Sequence, residues 1–281
     1  MTHWFLAGKP CVSIPVDDRA VQYGDGLFET VAIRGGQARL WGYHTDRLQT
    51  GCARLGLPIP TEQLLDDALC SALDTSPVDP DYCVAKLLVT AGAGARGYRR
   101  ASDGTGTLLV GMADCSRLPE SLYRDGVRVR VCSTRLAIQP LLAGIKSLNR
   151  LEQVLARNEW QDETVFEGLL LDTDDRLICG TMSNVFLIHG NTLVTPAITR
   201  CGISGVMRRH VLATVEQAGI DCDVRDIPSD ELSSCQGGLL TNSQFGVLPL
   251  SQCADRSWQL NDLSHRVMQL VTDSGVAEYK A

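Results

Sequence analysis

The stretch that decides the fold reads Leu142-Ala143-Gly144-Ile145-Lys146-Ser147-Leu148-Asn149-Arg150-Leu151-Glu152. Its single lysine, Lys146, stands between an apolar segment that contains a glycine and a run with helical spacing. Leu148, Leu151 and Leu155 follow at that spacing, which predicts an amphipathic helix that buries these three side chains. A lysine packed against such a surface loses its proton more readily and becomes an amine nucleophile. The same pattern also fits a solvated lysine near the start of a helix.

Length, charge and cysteine content exclude several classes of protein. The 281 residues suffice for one large or two ordinary domains with a substantial core. The net charge of −7 and the absence of a Lys/Arg-rich run argue against a nucleic-acid partner. None of the eleven cysteines forms a Cys-x-x-Cys pair, which argues against a zinc site and fits a reduced interior. The N-terminus has no signal-peptide pattern and no long uncharged apolar run follows, so we expect a cytoplasmic protein.

The chain alternates β-rich and helical stretches in two halves. In the first half the pattern predicts strands at 28–33, 38–41, 83–90 and 107–111, and helices at 44–55 and after a cap at Thr61. In the second half it predicts a strand at 127–131, hairpins at 169–179 and 185–194, and helices at 204–218 and 261–271. Residues 113–120 lack apolar periodicity and predict a linker between a small N-terminal domain, 1–112, and a larger C-terminal domain, 121–281. Such a pattern is typical of an α+β protein.

Further motifs accompany the lysine in a regular order along residues 18–250. A block with several glycines occupies residues 18–30, and His44-Thr45-Asp46-Arg47-Leu48 follows it. Cys179-Gly180-Thr181-Met182-Ser183-Asn184 begins 33 residues after Lys146 (179 − 146 = 33). Gly202-Ile203-Ser204-Gly205 then precedes a predicted helix, and Thr241-Asn242 follow an apolar stretch. In order and spacing these motifs resemble those of the fold-type IV pyridoxal-phosphate enzymes, the class IV aminotransferase superfamily.

This resemblance implies a fold, a cofactor and an assembly. The implied fold is the two-domain α+β architecture of the D-amino-acid aminotransferases, with a cofactor cleft between a small and a larger domain. The implied cofactor is pyridoxal 5′-phosphate, attached to Lys146, whose amine then serves as general acid and base. The implied assembly is a homodimer that acts on a small-molecule substrate, and the resemblance implies no metal ion.

The resemblance assigns five residues to the phosphate of the cofactor. Arg47 matches the arginine of the family's His-x-x-Arg-Leu helix, since a planar guanidinium can hold two phosphate oxygens; the alternative is a surface arginine paired with a neighbouring aspartate or solvent. Ile203 and Ser204 lie where backbone N–H groups at the start of a helix bind anions, although Ser204 also suits ordinary capping of that helix. Thr241 and Asn242 match the family's last phosphate contact, and such a polar pair after a strand also fits a turn.

Position 179 is where this chain departs from the family pattern. Family members usually have Glu-Gly-x-x-Ser-Asn, and the glutamate keeps the pyridine nitrogen of the cofactor protonated, whereas Cys179 stands there in this chain. A neutral thiol cannot hold that proton as a carboxylate does. The change therefore disfavours transamination more than an elimination that ends in an aromatic ring, because aromatisation helps to drive the elimination. Alternatively, Cys179 is a buried strand residue without cofactor contact.

The glycine-rich loop at residues 91–98 lacks the Lys-Ser/Thr ending of a phosphate-binding loop and ends in Arg96-Gly97-Tyr98. It is similar to the Gly-x-Arg-Gly-Tyr loop of the aminodeoxychorismate lyases within this family. The resemblance implies that Arg96 binds a substrate carboxylate and that Tyr98, Tyr23 and Asn149 line the substrate pocket, although Tyr23 also suits a packing role. Two further side chains are expected to be solvated at the loop tip: Arg99 and Arg100.

The activity implied by this resemblance is the conversion of 4-amino-4-deoxychorismate into 4-aminobenzoate and pyruvate, a step of folate biosynthesis. A D-amino-acid or branched-chain aminotransferase of the same fold is the alternative activity. Branched-chain aminotransferases have a tyrosine five residues after the lysine, where this chain has Leu151. A binding protein that keeps the fold without the reaction is a third possibility. Cofactor colour, amino-group transfer and pyruvate release separate the three.

Overall fold

The computed structural model describes residues 1–94, 96–101 and 104–278. The chain separates into two compact units. Unit 1 comprises Met1–Arg117 and Ile145–Asn149, and unit 2 comprises Leu118–Gly144 and Arg150–Ala281. The short segment that contains Lys146, which the sequence analysis assigned to the C-terminal domain, therefore groups with unit 1.

Unit 1 combines one antiparallel sheet with helices on one of its faces. Its elements in chain order are β1 (His3–Leu6), β2 (Lys9–Pro10), α1 (Arg19–Tyr23), β3 (Gly26–Arg34), β4 (Gln37–Ala38), α2 (Trp41–Leu55), α3 (Glu62–Thr75), β5 (Tyr82–Thr90) and β6 (Thr107–Asp114). In the described residues the strands follow the order β2-β1-β6-β5-β3-β4. Buried apolar side chains of β3, α2 and α3, among them Val31, Leu48 and Leu65, form a single core. Thr61 caps α3 by accepting a hydrogen bond from Leu64 N, as predicted.

The segment Ile145–Asn149 lies against β3 as extended chain. Phe28 N donates to Lys146 O, and Leu148 N donates to Gly26 O, each over 3.0 Å. Ile145 is buried in the core of unit 1, with 3% of its surface exposed. Lys146 therefore stands on a short strand-like segment that is hydrogen-bonded to β3 at the lysine and at Leu148.

Unit 2 is built on a mixed sheet. Its elements in chain order are α4 (Glu120–Arg124), β7 (Val127–Leu136), α5 (Leu151–Arg157), β8 (Val165–Asp172), β9 (Arg176–Gly180), β10 (Asn184–His189), β11 (Thr192–Pro196), α6 (Val206–Gln217), β12 (Cys222–Arg225), β13 (Ile227–Pro228), α7 (Glu231–Ser234), β14 (Gly237–Asn242), β15 (Gly246–Cys253), β16 (Arg256–Ser257) and α8 (Asp262–Asp273). The order among the described strands is β12-β11-β10-β14-β15-β7-β8-β9-β13, with β16 beside β15. Strand β7 runs parallel to both of its neighbours, β15 and β8.

Both predicted hairpins are confirmed. β8 and β9 pair antiparallel across a turn in which Asp175 has a φ of 58°. β10 and β11 pair antiparallel across a turn in which Gly190 has a φ of 59°. Positive φ at these positions allows tight connections between strands. No helix in the described part of the chain combines the length and apolar character needed to cross a membrane.

Two predicted elements have other bounds in the structure. The returning strand expected at 38–41 is only β4, Gln37–Ala38, because Leu40 adopts a φ of 54° and α2 begins at Trp41. The amphipathic helix after Lys146 begins only at Leu151, because the preceding residues pair with β3. Leu151 and Leu155, expected to be buried, are 77% and 63% exposed. The face of α5 that carries them is therefore an exposed apolar surface.

Candidate active site

Lys146 is presented on the segment that pairs with β3. Its ammonium lies 4.2 Å from the ring centroid of Phe28. The neighbouring backbone bonds and the buried side chain of Ile145 restrict the segment, so the side chain starts from a defined backbone position. A half-buried lysine on a rigid support fits the amine nucleophile expected from the sequence.

The predicted phosphate ligand Arg47 lies on α2 and contacts a buried carboxylate that sequence reasoning missed. Arg47 Nε donates to Glu29 Oε1 over 2.8 Å, and Arg47 Nη2 donates to Glu29 Oε2. His44, one turn earlier on α2, has its Nδ1 2.6 Å from Glu29 Oε2. Glu29 and His44 are 1% and 0% exposed. These three side chains form a network that fixes the guanidinium from one side.

Burial and the neighbouring side chains together set the charges of Glu29 and His44. Burial alone would raise the pKa of Glu29, but Arg47 and His44 outweigh it and lower that pKa to about 2. Burial lowers the pKa of His44, against the opposing effect of Glu29. At neutral pH a carboxylate therefore faces one guanidinium and a neutral imidazole, whose Nδ1–H donates to Glu29. Removing any one partner would leave a buried polar group unsatisfied.

In unit 2, the loop before α6 presents the predicted residues Ile203 and Ser204. Gly144 N donates to Gly202 O over 2.9 Å, and Ser204 N donates to Gly144 O over 3.2 Å. Helix α6 starts after Gly205, so that glycine, rather than Ser204, takes the N-cap position. The first N–H groups of a helix lack intrahelical partners and carry a partial positive charge, which suits an anion.

Asn184 holds the same loop, a role that sequence reasoning did not assign. Its side-chain Nδ2 donates to Ile203 O over 2.9 Å. A Cβ at Gly205 would lie 1.9 Å from Asn184 Oδ1, so only glycine fits at that position. The Asn184 side chain therefore fixes the loop by its hydrogen bond to Ile203 and its close approach to Gly205.

Thr241 and Asn242, predicted as a pair, have different surroundings. The Thr241 hydroxyl is buried and has no hydrogen-bond partner among the residues that the structure describes. Asn242 Oδ1 accepts from Gln244 N and Phe245 N over 2.8 and 3.0 Å, which is the contact pattern of a turn. Thr241 pairs in register with Asn184, the residue that holds the Ile203 loop. An unsatisfied buried hydroxyl costs about 1–3 kcal/mol, so this hydroxyl would gain from a further hydrogen-bond partner.

Cys179 lies at the end of β9 with 7% of its surface exposed, packed in an apolar cluster with Ile178 and Cys201. Burial, reinforced by the negative charge of Glu167, raises the pKa of the Cys179 thiol. The group at this position is therefore a neutral thiol.

Glu167 is a buried carboxylate, 0% exposed, beneath the turn that follows Cys179. Its oxygens accept from Thr181 N and Met182 N, each over 3.1 Å, and from Ser183 Oγ over 2.8 Å. The carboxylate thus fixes the turn between β9 and β10 by hydrogen bonds. It is a structural anchor for the residues on both sides of that turn.

The loop with the predicted substrate residues is docked onto α1 within unit 1. Arg96 is exposed and Tyr98 is 87% exposed. Tyr23 packs its ring edge-on against Tyr98 with centroids 5.5 Å apart, and its hydroxyl accepts from Gly97 N over 3.3 Å. Asn149 is exposed and donates to Gly24 O over 3.3 Å. Tyr23 therefore has the packing contacts that were considered as its alternative role.

Arg99 is exposed, as predicted, but the prediction that Arg100 also lies at a solvated loop tip is wrong. Arg100 Nε donates to Asp25 Oδ2 over 2.9 Å, and Arg100 Nη1 donates to Leu55 O. Asp25 is half-buried, and its charge draws the guanidinium inward. This long-range partner could not be recognised from the loop sequence alone.

The predicted residues thus fall into two sets. In unit 1 the structure places Lys146, Arg47, Tyr23, Arg96, Tyr98 and Asn149, and in unit 2 it places Cys179, Ile203, Ser204, Thr241 and Asn242. Sequence reasoning missed Glu29 and Glu167, for which a signal existed. Each glutamate has apolar residues two positions before and after it in its strand. These residues share one face of the strand, which marks the glutamate as buried.

Comparisons with known proteins show which family and which proteins this chain is similar to. The family model described as Amino-transferase class IV matches residues 26–253. An aminodeoxychorismate lyase of Vibrio harveyi is 33% identical over 251 residues, which cover 88% of this chain and 90% of that protein. The solved structure of 4-amino-4-deoxychorismate lyase from Pseudomonas aeruginosa is 40% identical, with a TM-score of 0.91, and covers 97% of this chain and 99% of its own. A putative branched-chain-amino-acid aminotransferase of Methanocaldococcus jannaschii is 27% identical over 86% of this chain and 83% of its own length.

Proposed function

The chain belongs to the class IV aminotransferase family, and from this premise we propose that it converts 4-amino-4-deoxychorismate into 4-aminobenzoate and pyruvate. The observation that carries the proposal is the 40% sequence identity to the Pseudomonas aeruginosa lyase over 97% of this chain. Two aminotransferases of the same family are 27% and 25% identical to this chain. The neutral thiol of Cys179, where family members usually have a glutamate, also favours the lyase over an aminotransferase.

Pyridoxal 5′-phosphate is the proposed cofactor, and the donor groups fit it. When bound, it supplies an electron-accepting ring that stabilises negative charge on the carbon from which a proton is removed. Lys146 is the residue for covalent attachment of its aldehyde. The buried, unsatisfied hydroxyl of Thr241 and the N–H groups at the start of α6 fit phosphate oxygens. Arg47, Ile203 and Ser204 are further proposed phosphate ligands, and Asn242 supports Thr241 through its turn.

The acid–base chemistry is assigned to Lys146. Its free amine removes the proton from the ring carbon that bears the substrate's amino group. The bond between the neighbouring ring carbon and the enolpyruvyl oxygen then breaks, and the ring becomes aromatic. The resulting ammonium of Lys146 returns a proton to the departing enolpyruvate, which becomes pyruvate. A single amine therefore serves as base and then as acid.

Recognition of the substrate is assigned to the loop that carries Arg96. The substrate has one carboxylate on the ring and one on the enolpyruvyl arm, and a guanidinium forms strong charge-assisted bonds with such a group. The exposed Tyr98 beside Arg96 offers an aromatic face for the ring, with Tyr23 behind it. Asn149, three residues after Lys146 in the chain, is proposed to line the substrate pocket with its exposed amide.

A homodimer is the proposed assembly. Leu151, Val154 and Leu155 form an apolar face of α5 and are between 52% and 77% exposed. Contiguous exposed apolar side chains of this size usually mark an interface. We expect the wild-type protein to sediment as a dimer and Leu155→Arg to sediment as a monomer. A wild-type monomer at micromolar concentration would refute this assembly.

The test of the function is a direct assay of both products. The holoenzyme is mixed with enzymatically prepared aminodeoxychorismate, pyruvate is followed with lactate dehydrogenase, and 4-aminobenzoate is followed by its fluorescence after separation. Both products should appear in equal amounts. Amino transfer from D-alanine to 2-oxoglutarate is measured in parallel. If amino transfer is faster than pyruvate release, the chain is an aminotransferase and the proposal is wrong.

A further inference from the structure

Arg19, the first residue of α1, links two distant parts of unit 1. Its side chain is buried, 6% exposed, and all three of its donor nitrogens have partners. Nε donates to Asp25 Oδ2, Nη1 donates to Gly97 O and Nη2 donates to Tyr98 O, each over 2.8 Å. One guanidinium therefore links the carbonyls of Gly97 and Tyr98, in the loop proposed to bind substrate, to Asp25, more than 70 residues earlier in the chain.

The same aspartate holds the loop at a second point. Asp25 accepts from Arg19 and from Arg100, so it joins the guanidinium under Gly97 and Tyr98 to the end of the loop. Burial alone would raise the pKa of Asp25, but Arg100 and Arg19 outweigh it and lower that pKa. Asp25 is therefore charged at neutral pH, and the Arg19–Asp25–Arg100 cluster stays intact.

The backbone of the loop faces Arg19, whereas two of its side chains face solvent. The carbonyls of Gly97 and Tyr98 point to Arg19, whereas Arg96 is exposed and Tyr98 is 87% exposed. Three planar donors in fixed directions are specific to arginine, since a lysine ammonium cannot reach Asp25 and both carbonyls with the same geometry. A loop fixed in this way loses less conformational freedom when its exposed side chains bind a ligand.

We propose that Arg19 is a positioning residue for substrate recognition: it fixes the backbone of Gly97 and Tyr98 so that Arg96 and Tyr98 are preorganised for a cyclic dicarboxylate. This inference rests on the proposed function, because it takes aminodeoxychorismate as the dicarboxylate. Arg19 acts through the loop and does not touch the substrate.

The experiment compares Arg19→Lys with Arg34→Lys. Arg34 is a matched control because it is also an arginine of unit 1 that donates to two backbone carbonyls, Ile33 O and Cys83 O, at the opposite end of β3. Arg19→Lys should raise the KM for aminodeoxychorismate roughly ten-fold, the effect of losing preorganisation in a short loop. The kcat and the absorbance of the bound cofactor should stay near wild type. Arg96→Ala should raise KM at least as much, and Arg34→Lys should change neither constant.

A second measurement does not depend on turnover. Trypsin cleaves after Arg96 and Arg99, and the cleavage rate at these bonds, mapped by mass spectrometry, reports how firmly the backbone is held. Chorismate, which has both carboxylates but a hydroxyl in place of the amine, serves as the probe. In wild type, chorismate should slow cleavage of the Arg96–Gly97 bond. In Arg19→Lys, cleavage should be faster and this protection should be lost.

Each outcome decides between positioning and other roles. Faster cleavage with an unchanged KM would show that the loop does not bind substrate, and loss of the cofactor would show that Arg19 supports the fold; both overturn the inference. If Arg19→Lys does not fold, Tyr23→Phe, which removes only the acceptor for Gly97 N, should still raise KM and speed cleavage, and no effect there also overturns it. If wild type releases no pyruvate, the proposed function fails, whereas protection by chorismate still tests Arg19.

Discussion

Glu29 binds Arg47 through both carboxylate oxygens, one facing Nε and the other facing Nη2. A residue of strand β3 thereby fixes the direction of a guanidinium on helix α2. The proposed phosphate ligand is thus a held side chain rather than a flexible surface arginine. The affinity of Arg47 for a phosphate should therefore depend on Glu29, although Glu29 is not itself a proposed phosphate ligand.

This relationship predicts selective loss of phosphate binding. Arg47→Ala should weaken the affinity for pyridoxal 5′-phosphate by roughly ten- to a hundred-fold, the value of a charge-assisted contact of ~1.5–3 kcal/mol. Affinity for pyridoxal, which lacks the phosphate, should change little. Both affinities are measured by titrating apoenzyme and following cofactor absorbance. Equal losses for the two ligands would place Arg47 away from the phosphate.

Stability should depend on Glu29 in a pH-dependent way. The pKa of Glu29 is lowered from 4.5 to about 2, so its stabilising effect is complete above pH 4.5 and is lost as the pH falls towards 2. At pH 7, Glu29→Gln should lower the free energy of unfolding by about 3 kcal/mol, because Arg47 loses its buried partner. The difference from wild type should shrink below pH 4.5. Urea unfolding of the apoenzyme measures it, with Glu62→Gln at the exposed start of α3 as control. A constant difference across this range contradicts the assignment.

Lys146 should be the sole site of covalent attachment. Borohydride treatment of the yellow holoenzyme should fix the cofactor irreversibly on Lys146, and peptide mapping identifies the modified residue. Lys146→Ala should abolish pyruvate release. Lys86→Ala is the matched control, because the exposed Lys86 also lies over the Phe28 ring, at 5.2 Å, and should retain activity. An adduct on another lysine would exclude the proposed role.

Thr241→Val should separate ligand binding from folding. Because the Thr241 hydroxyl is buried without a partner among the described residues, valine should leave the stability of the apoenzyme unchanged or slightly higher. Cofactor affinity should fall by about five-fold, the value of one hydrogen bond of ~1 kcal/mol. Thr195→Val is the contrasting control, since the buried Thr195 hydroxyl donates to Val185 O and accepts from Arg208. That variant should be destabilised. Destabilisation of the Thr241→Val apoenzyme would instead mean that the hydroxyl has a structural partner.

Cys179 should control the choice between elimination and amino transfer. Cys179→Glu should increase transamination of D-alanine relative to pyruvate release, because a carboxylate holds a proton on the pyridine nitrogen. Cys179→Ser, which keeps a neutral group of similar size, should leave pyruvate release nearly intact. The ratio of the two rates, measured on the same preparation, is the readout. An unchanged ratio in Cys179→Glu would mean that this position does not face the pyridine ring.

Local patterns predicted most strands and helices of this chain. The hairpin around Gly190 and the helix after Thr61 depend on neighbouring residues, so alternation and capping were sufficient to locate them. The start of α5 could not be predicted in this way. Residues before it read as helical, but pairing with β3 holds them extended, and that pairing joins positions more than 100 residues apart.

In the candidate site, too, features within short motifs could be predicted and long-range contacts could not. The family resemblance proposed Lys146, Ser204 and Thr241 as site residues because each occurs in a short run that matches a family motif. Arg19 and Arg100 were not predicted as partners, because only the folded chain brings them to Asp25. Periodicity can mark a buried charge, but it does not show which distant residue in the chain pairs with it.

The segment that carries Lys146 also constrains how the protein can be made. Unit 1 takes its strand-like piece at Ile145–Asn149 from beyond Arg117, so a fragment that ends at Arg117 lacks the hydrogen bonds that this piece forms with β3. During synthesis, the ribosome must release residue 149 before unit 1 can complete its contacts. Neither unit can be expressed, exchanged or circularly permuted as one uninterrupted piece of chain without moving the lysine. Chimeras of this protein should therefore keep residues 145–149 with the first unit.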